Sequence, residues 1–189
     1  MKTAQAAGAP AFNPYAAPAA AVADAAPAGG EALFFPVSGL KLALMSLGTL
    51  GLYEIYWSYK NWKCVQEHLG EKVNAPIRAL FYPLTSYSLF KRIRERAGQS
   101  QLGEGLPAGP LALAVFLLGA MSRLPDPWYI ASLLAFLPML PVQSTVNELN
   151  RKLTPQADNN ASFSAWNIAG LALGGILLSL ALLGTFMAE

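Results

Sequence analysis

The chain has 189 residues, of which 54% are hydrophobic and only 13% are charged. Soluble domains carry about 25% charged residues, so this composition favours a membrane protein. The formal net charge of +2 is too small to indicate a nucleic-acid partner. With one cysteine, Cys64, and one histidine, His68, a single chain can form neither an internal disulfide nor a four-ligand Cys/His zinc site.

The N-terminal stretch 1–34 is predicted to be a disordered tail. Residues 1–32 consist largely of Ala, Pro and Gly and contain no leucine, so they cannot build a core. Prolines recur among the alanines, whereas a secretory signal needs a continuous apolar run. We therefore predict an uncleaved tail followed by one helical membrane domain over residues 35–189.

A first membrane span is predicted over residues 42–59, where Glu54 is the only formal charge. These 18 residues would cross most of a hydrocarbon layer roughly 30 Å thick, since a helix rises about 1.5 Å per residue. Tyr and Trp crowd the C-terminal end of the span and mark a membrane boundary, because amphipathic rings favour the headgroup level. The helix is predicted to run on to Leu69 and to end at Gly70.

The next helix, 76–97, is predicted to be amphipathic and to lie in the membrane interface. Its apolar part, 77–90, has only 14 residues, which is short for a crossing, and Pro83 weakens the case for a crossing further. Basic residues near an anionic leaflet contribute about 1 kcal/mol each, although they can equally serve only to orient the loop. The candidate lipid headgroup ligands are Lys91, Arg92, Arg94 and Arg96.

The second half of the chain predicts a helical hairpin and a final span. The hairpin has arms near 106–121 and 127–142, and the second arm is kinked by prolines. An amphipathic stretch at 143–153 is predicted to lie along the membrane surface. Residues 165–187 contain no charge and give the clearest spanning helix.

These elements predict an all-α integral membrane fold with about four transmembrane helices and an interfacial amphipathic helix. Ten of the thirteen Lys and Arg then lie on one side, which by the positive-inside rule places the tail and the C-terminus outside the cytoplasm. If 77–90 crosses, there are five transmembrane helices and the charges divide eight to five. The four-helix alternative fits the charges better.

Glu54 is the sharpest candidate for chemistry, and Ser58 and Asn61 share its helical face at i+4 and i+7. An acidic side chain costs about 2.5 to 3.5 kcal/mol at the middle of a spanning helix, so it needs a partner or a proton. It is either an ion or proton site or a structural carboxylate that bridges helices. The structural interpretation is favoured.

Other candidates are weaker. Cys64, His68 and Glu71 have i, i+4, i+7 spacing and ligand types that zinc accepts, but a closed site needs a fourth ligand, so no metal or cofactor is predicted. In the last helix Asn167 is an intramembrane polar residue for which a cap or bridge is the default role. The GxxxG pair of that helix predicts close helix packing within the chain and consists of Gly170 and Gly174.

Four sequence blocks resemble an uncharacterised family of small bacterial multi-pass membrane proteins, a domain of unknown function. The blocks are LGLYEIYWSYKNWK at 50–63, PIRALF at 76–81, LPVQSTVNELN at 140–150 and SAWNIAGLALGG at 164–175. The YWxYKNW pattern is the most specific of them, and the resemblance leaves out the tail. It implies a bacterial inner membrane and no catalytic residues. Some similar proteins carry cytoplasmic modules before the first helix, which implies an N-terminus inside the cell.

The chain contains no GxSxG, HExxH or phosphate-binding glycine motif, so we predict that it is not an enzyme. The leading hypothesis is a scaffold or accessory subunit whose basic cytoplasmic face meets anionic lipids or a protein partner. The alternative is a small transporter or channel component that uses Glu54. The sequence does not decide the oligomeric state.

Overall fold

The computed structural model describes residues 31–102 and 105–187, so most of the predicted tail lies outside it. The described residues form helices and no strand, which confirms the prediction of an all-helical chain. The α-helices are α1 (Gly39–Gly48), α2 (Leu52–His68), α3 (Ala75–Leu80), α4 (Tyr82–Gln99), α5 (Ala108–Ala120), α6 (Met139–Leu153) and α7 (Ala165–Met187). Two 3-10 segments, Met121–Arg123 and Trp128–Leu134, connect α5 to α6.

Two segments of the described chain are long and apolar enough to cross a membrane. One is Trp128–Leu153, which joins the second 3-10 segment to α6, and the other is Ala165–Thr185 in α7. The stretch Ala108–Arg123 is also apolar but shorter. Their length and composition favour a membrane location.

The predicted continuous helix over 40–69 is wrong, because the chain reverses at residues 49–51. The Phe35 N–H donates to Asn61 Oδ1 at 3.2 Å. A continuous helix would place residues 40 and 61 about 32 Å apart, which is farther than the five residues from 35 to 40 can span at about 3.5 Å each. Helices α1 and α2 therefore form a hairpin, and both of its ends lie on the same side.

A Schellman motif closes α1 and produces this reversal. The Gly51 N–H donates to the Ser46 carbonyl at 2.9 Å, and the Leu50 N–H donates to the Leu47 carbonyl at 3.2 Å. Leu50 and Gly51 both adopt left-handed backbone, with φ of 54° and 85°. This conformation costs Leu50 about 1 to 2 kcal/mol, whereas a glycine adopts it freely.

The predicted single helix over 76–97 is divided at Phe81, which separates α3 from α4. Pro83 explains the break, because it has no N–H and its ring clashes with the carbonyl four residues earlier. The Thr85 hydroxyl donates to the carbonyl of Arg78 at 2.6 Å and so satisfies an acceptor that the break leaves free. Helix α3 runs toward the 49–51 turn, and α4 turns away from it.

Helix α6 is not the surface helix predicted at 143–153. It begins at Met139 and packs into the core, where Gln143, Val146, Leu149 and Asn150 are buried. Two of these buried residues carry amides. The amides are not exposed to a membrane surface, because they bind the backbone of another segment inside the bundle.

Helices α1 and α7 pack in the same direction. At one end the Lys41 Nζ donates to the Ser162 carbonyl at 2.7 Å, and at the other end Gly48 lies against Leu171 and Gly174. Because α7 has 23 residues, it is about 34 Å long. The hairpin of α1 and α2 therefore reaches only about half the length of α7.

We define the basic end of the bundle as the end that holds residues 31–38, 99–102 and 105–107 and the connections 69–74 and 154–164. The opposite end holds the connection 121–127 and the end of α7. Of the twelve Lys and Arg in the described residues, only Arg123 lies at the opposite end. The eleven cations of the basic end are Lys41, Lys60, Lys63, Lys72, Arg78, Lys91, Arg92, Arg94, Arg96, Arg151 and Lys152.

The core consists of aromatic and aliphatic side chains between the hairpins and α6, and Phe34, Trp57, Trp62, Phe90 and Met139 are among its fully buried members. Phe34 belongs to the core although the predicted tail ends at that residue. Many large apolar side chains outside the core remain exposed, along α7 and at the tip of the second hairpin. Such extensive apolar surface is unusual in water and normal against lipid.

Replacing Gly174 by alanine is expected to lower the melting temperature of the detergent-solubilised protein. A Cβ at this position would overlap the carbonyl oxygen of Gly48, so α7 must move away from α1. Overpacking of this kind costs about 1 to 3 kcal/mol. Gly175→Ala is the matched control, because a Cβ there meets nothing within 4 Å. Equal melting temperatures of the two variants, measured by scanning fluorimetry, would contradict this contact.

Candidate functional site

Residues 34–37 form an extended segment inside the bundle, and side-chain amides bind its backbone. The Phe34 N–H donates to Asn150 Oδ1 at 3.1 Å, and Asn150 Nδ2 donates back to the Phe34 carbonyl at 2.8 Å. The next three carbonyls also accept from amides, at 3.3, 3.1 and 2.9 Å. The donors to Phe35, Pro36 and Val37 are Gln143, Asn160 and Asn147, respectively.

Three of these amides come from one face of α6. Gln143, Asn147 and Asn150 stand at i, i+4 and i+7, so they follow one another along the helix. Gln143 also accepts from Trp57 Nε1 at 2.6 Å and donates to Asn147 Oδ1 at 2.8 Å. The spacing is visible in the sequence, but its purpose is not, because the bound segment is more than 100 residues away.

Trp62 is fully buried and lies between two arginines at the basic end. The guanidinium carbons of Arg78 and Arg92 are 4.4 and 5.3 Å from its ring centroid. Arg92 also donates to the Glu71 carboxylate at 2.6 to 2.8 Å, which holds the pKa of Glu71 below its usual value. This cluster fixes the connection 69–74 against α4.

The four predicted headgroup ligands are therefore not equivalent. Arg92 is used inside the protein, and Lys91 forms an exposed pair with Glu95 at 3.7 Å. Arg96 donates to Gln99 at 2.9 Å. Arg94 is exposed and has no ion-pair partner within the described part of the chain. The exposed cations of the basic end are Lys72, Lys91, Arg94, Arg151 and Lys152.

The three polar residues predicted on one face of α2 are all buried, but they have different surroundings. Glu54 lies in the first turn of α2, beside the 49–51 reversal, and its residue surface is 7% exposed. The Ser58 hydroxyl is buried and has no partner among the described residues. Asn61 accepts from the Phe35 N–H and donates to the Trp57 carbonyl at 3.0 Å. Asn61 therefore helps to hold the segment at Phe35, whereas Glu54 takes no part in these hydrogen bonds.

The polar and small residues predicted as sites in α7 either cap the helix or lie against the end of α1. The Ser164 N–H donates to Asn167 Oδ1 at 3.0 Å, and the Asn167 N–H donates to the Ser164 hydroxyl at 3.2 Å, which is a reciprocal helix cap. Gly174 contacts the backbone of Gly48. A Cβ at Gly170 would meet only the methyl group of Thr49, at 3.9 Å. Gly174 is therefore the position of closest approach.

The residues considered for a metal site are not brought together. Glu71 is bound by Arg92, as described above. Within residues 31–102 and 105–187 there is no cluster of three His, Cys, Asp or Glu side chains that could hold a metal ion. Cys64 is only partly exposed, and burial raises the pKa of its thiol to about 11.

No family model, curated protein or solved structure matches the chain. The family resemblance of the YWxYKNW block therefore stays a prediction. Charge distribution, buried polar groups and cavities are the observations from which a function can be inferred.

Asn150→Leu is expected to destabilise the protein strongly, because it leaves the N–H and the carbonyl of Phe34 buried without partners. Each such group costs about 1 to 3 kcal/mol. Asn159→Leu makes the same chemical change at an exposed position of the connection after α6 and should have little effect. Thermal unfolding in detergent tests the difference. Similar melting temperatures for the two variants would show that the amide contacts of Asn150 contribute little.

Proposed function

We propose that this chain is a non-catalytic membrane scaffold or accessory subunit of the bacterial inner membrane, whose basic end faces the cytoplasm. The observation that carries the proposal is the segregation of charge, since eleven of the twelve described cations share one end. Cytoplasmic segments of bacterial membrane proteins are enriched in Lys and Arg. The opposite end carries one cation, Arg123, and one anion, Asp126, in its connection.

The proposed arrangement has three crossings and two re-entrant hairpins. The segments 108–123, 128–153 and 165–187 cross the bilayer, while the hairpins α1–α2 and α3–α4 enter from the basic end and return to it. The two hydrogen bonds between Phe34 and Asn150 favour this arrangement over four crossings. Four crossings would place these two residues on opposite sides of the membrane.

Exposed tryptophans support the same placement. Trp166, at the start of α7 near the basic end, is 87% exposed, and Trp128, at the opposite end, is 64% exposed. Tryptophan favours the headgroup level of a bilayer. The α7 residues that follow Trp166 include exposed Ile and Leu side chains suited to contact with lipid tails.

The partner that the basic end fits best is the anionic surface of the inner leaflet. Its exposed cations come from three separate parts of the chain, and the Trp62 cluster holds two of those parts together. Because the backbone beneath the cations is fixed, the charges present a constant surface to lipid. A basic residue near an anionic leaflet contributes about 1 kcal/mol, and several together provide a substantial preference.

Cysteine accessibility tests the arrangement. In a Cys64→Ser background, single cysteines are introduced as Glu31→Cys, Lys72→Cys and Arg123→Cys, and intact cells are treated with a membrane-impermeant maleimide. The native Cys64 is not used as the probe, because the raised pKa of its thiol slows the reaction with maleimide. We expect the cysteine at 123 to be labelled in intact cells, and those at 31 and 72 only after permeabilisation.

Each other topology gives a different labelling pattern. With four crossings, the cysteine at 31 is labelled in intact cells and the cysteine at 72 is not. With five crossings, the cysteine at 72 is labelled and the cysteine at 31 is protected. Either result would overturn the proposed pair of re-entrant hairpins.

Lipid binding tests the function itself. Native mass spectrometry of the full chain is expected to show preferential retention of phosphatidylglycerol over phosphatidylcholine. Arg94→Gln should reduce this preference about fivefold, which corresponds to about 1 kcal/mol. Arg123→Gln, the same change at the opposite end, should leave it unchanged. No preference for the anionic lipid, or an equal effect of the two variants, would contradict a lipid-binding role for the basic end.

A further inference from the structure

A cavity of about 320 Å³ lies where the tips of the two hairpins meet the opposite half of the bundle. It is bordered by the 49–51 reversal, by the start of α4 and by the 3-10 segment Trp128–Leu134. This position is at the far end of the hairpins from the basic surface. The cavity therefore has no part in the lipid contacts proposed above.

Among the described residues that line the cavity, Glu54 provides the only carboxylate. Although the residue is 7% exposed, none of the described residues forms a hydrogen bond or an ion pair with its carboxylate. A carboxylate withdrawn from water in this way needs a counter-ion or a proton. The cavity beside it has room for a ligand that provides the missing charge.

The remaining polar groups of the lining are suited to a ligand that donates hydrogen bonds. The Ser122 and Ser132 hydroxyls each donate to a backbone carbonyl at 2.7 Å, so their oxygens are left as acceptors. Tyr82 also borders the cavity, but its hydroxyl oxygen is buried and is not part of the cavity surface. One carboxylate and two hydroxyl oxygens therefore border one space.

The rest of the lining is apolar and includes Leu52, Ile55 and Leu80. A proton or an alkali ion would use the carboxylate and leave this surface unused. The volume falls at the lower limit of ordinary small-molecule sites, which are about 300 to 1,000 Å³. The lining thus fits a small ligand with a cationic head and an apolar body.

We propose that this cavity binds a small organic amine in its primary ammonium form, with Glu54 as the counter-ion. A primary ammonium has three donors, which can be shared among the Glu54 carboxylate and the Ser122 and Ser132 oxygens. Its apolar body lies against Leu52, Ile55 and Leu80. This site goes beyond the proposed scaffold function, and its occupancy does not depend on the orientation of the chain in the membrane.

Equilibrium dialysis of the full chain in detergent, with radiolabelled phenethylamine as the probe, tests the site. We expect saturable binding of about one amine per chain, and only non-saturable partitioning of the neutral analogue phenethyl alcohol. Glu54→Gln should weaken amine binding about tenfold or more. Glu67→Gln, which removes an exposed carboxylate from the same helix, should bind like the unmodified chain.

Ser132→Ala provides a second test that does not depend on the folding of the Glu54 variant. The Ser132 hydroxyl donates to the Tyr129 carbonyl three residues earlier, within the same 3-10 segment, so its removal costs one local hydrogen bond. Amine binding should nevertheless fall several-fold, while elution on gel filtration stays unchanged. Unchanged amine affinity in this variant would remove Ser132 from the site and overturn the proposed donor sharing.

Three results would overturn the amine site. The first is saturable binding of the alcohol with an affinity equal to that of the amine. The second is undiminished amine binding by a folded Glu54→Gln variant. The third is complete displacement of the amine by an equal concentration of sodium chloride, which would indicate an alkali-ion site instead. Loss of the anionic-lipid preference would contradict the scaffold function and leave this site unaffected.

Discussion

The constraint on which the bundle depends is the burial of an extended segment among helices. Backbone groups at 34–37 have no neighbouring strand to pair with among the described residues, and a buried N–H or carbonyl without a partner costs about 1 to 3 kcal/mol. The chain solves this problem with side-chain amides, which carry both a donor and an acceptor and can therefore replace a neighbouring strand. These amides tie α2, α6 and the connection 154–164 to the start of the packed chain.

The path of the following helices depends on that anchor. Because the segment 34–37 is held at the basic end, α1 must start there, and Lys41 is bound next to it by Asn160 and Ser162. The Schellman motif at the end of α1 then returns the chain to the same end through α2. The contact of Gly48 with Gly174 fixes how far along α7 the first hairpin reaches. The depth of the cavity beside Glu54 follows from these contacts.

The sequence predicts the long helix α7 well, because a charge-free run of 23 residues has few alternatives. It does not predict the reversal at 49–51. The mean hydropathy of an apolar stretch is the same for one crossing helix and for two short arms. The two glycines at 48–51 do not mark a turn either, because glycine is frequent within membrane helices. The grouping of Glu54 with Tyr82, Ser122 and Ser132 requires tertiary contacts that no local pattern contains. The i, i+4, i+7 spacing of the α6 amides is visible in the sequence, but the same spacing is typical of a solvated helix face, so it does not predict that the amides are buried.

The proposed re-entrant hairpins and the charge distribution are energetically consistent with each other. If the first hairpin crossed the bilayer, Lys41 would have to leave the basic side. A crossing of the second hairpin would move Lys72 away from that side, although a Lys or Arg is favoured there. A hairpin that turns back at half depth avoids this transfer. It also leaves a reversal within the apolar layer, where free backbone groups are tolerated only if protein or a cavity surrounds them. The Schellman hydrogen bonds and the adjacent cavity meet that requirement at 49–51, so Glu54 lies where the fold already needs polar surroundings.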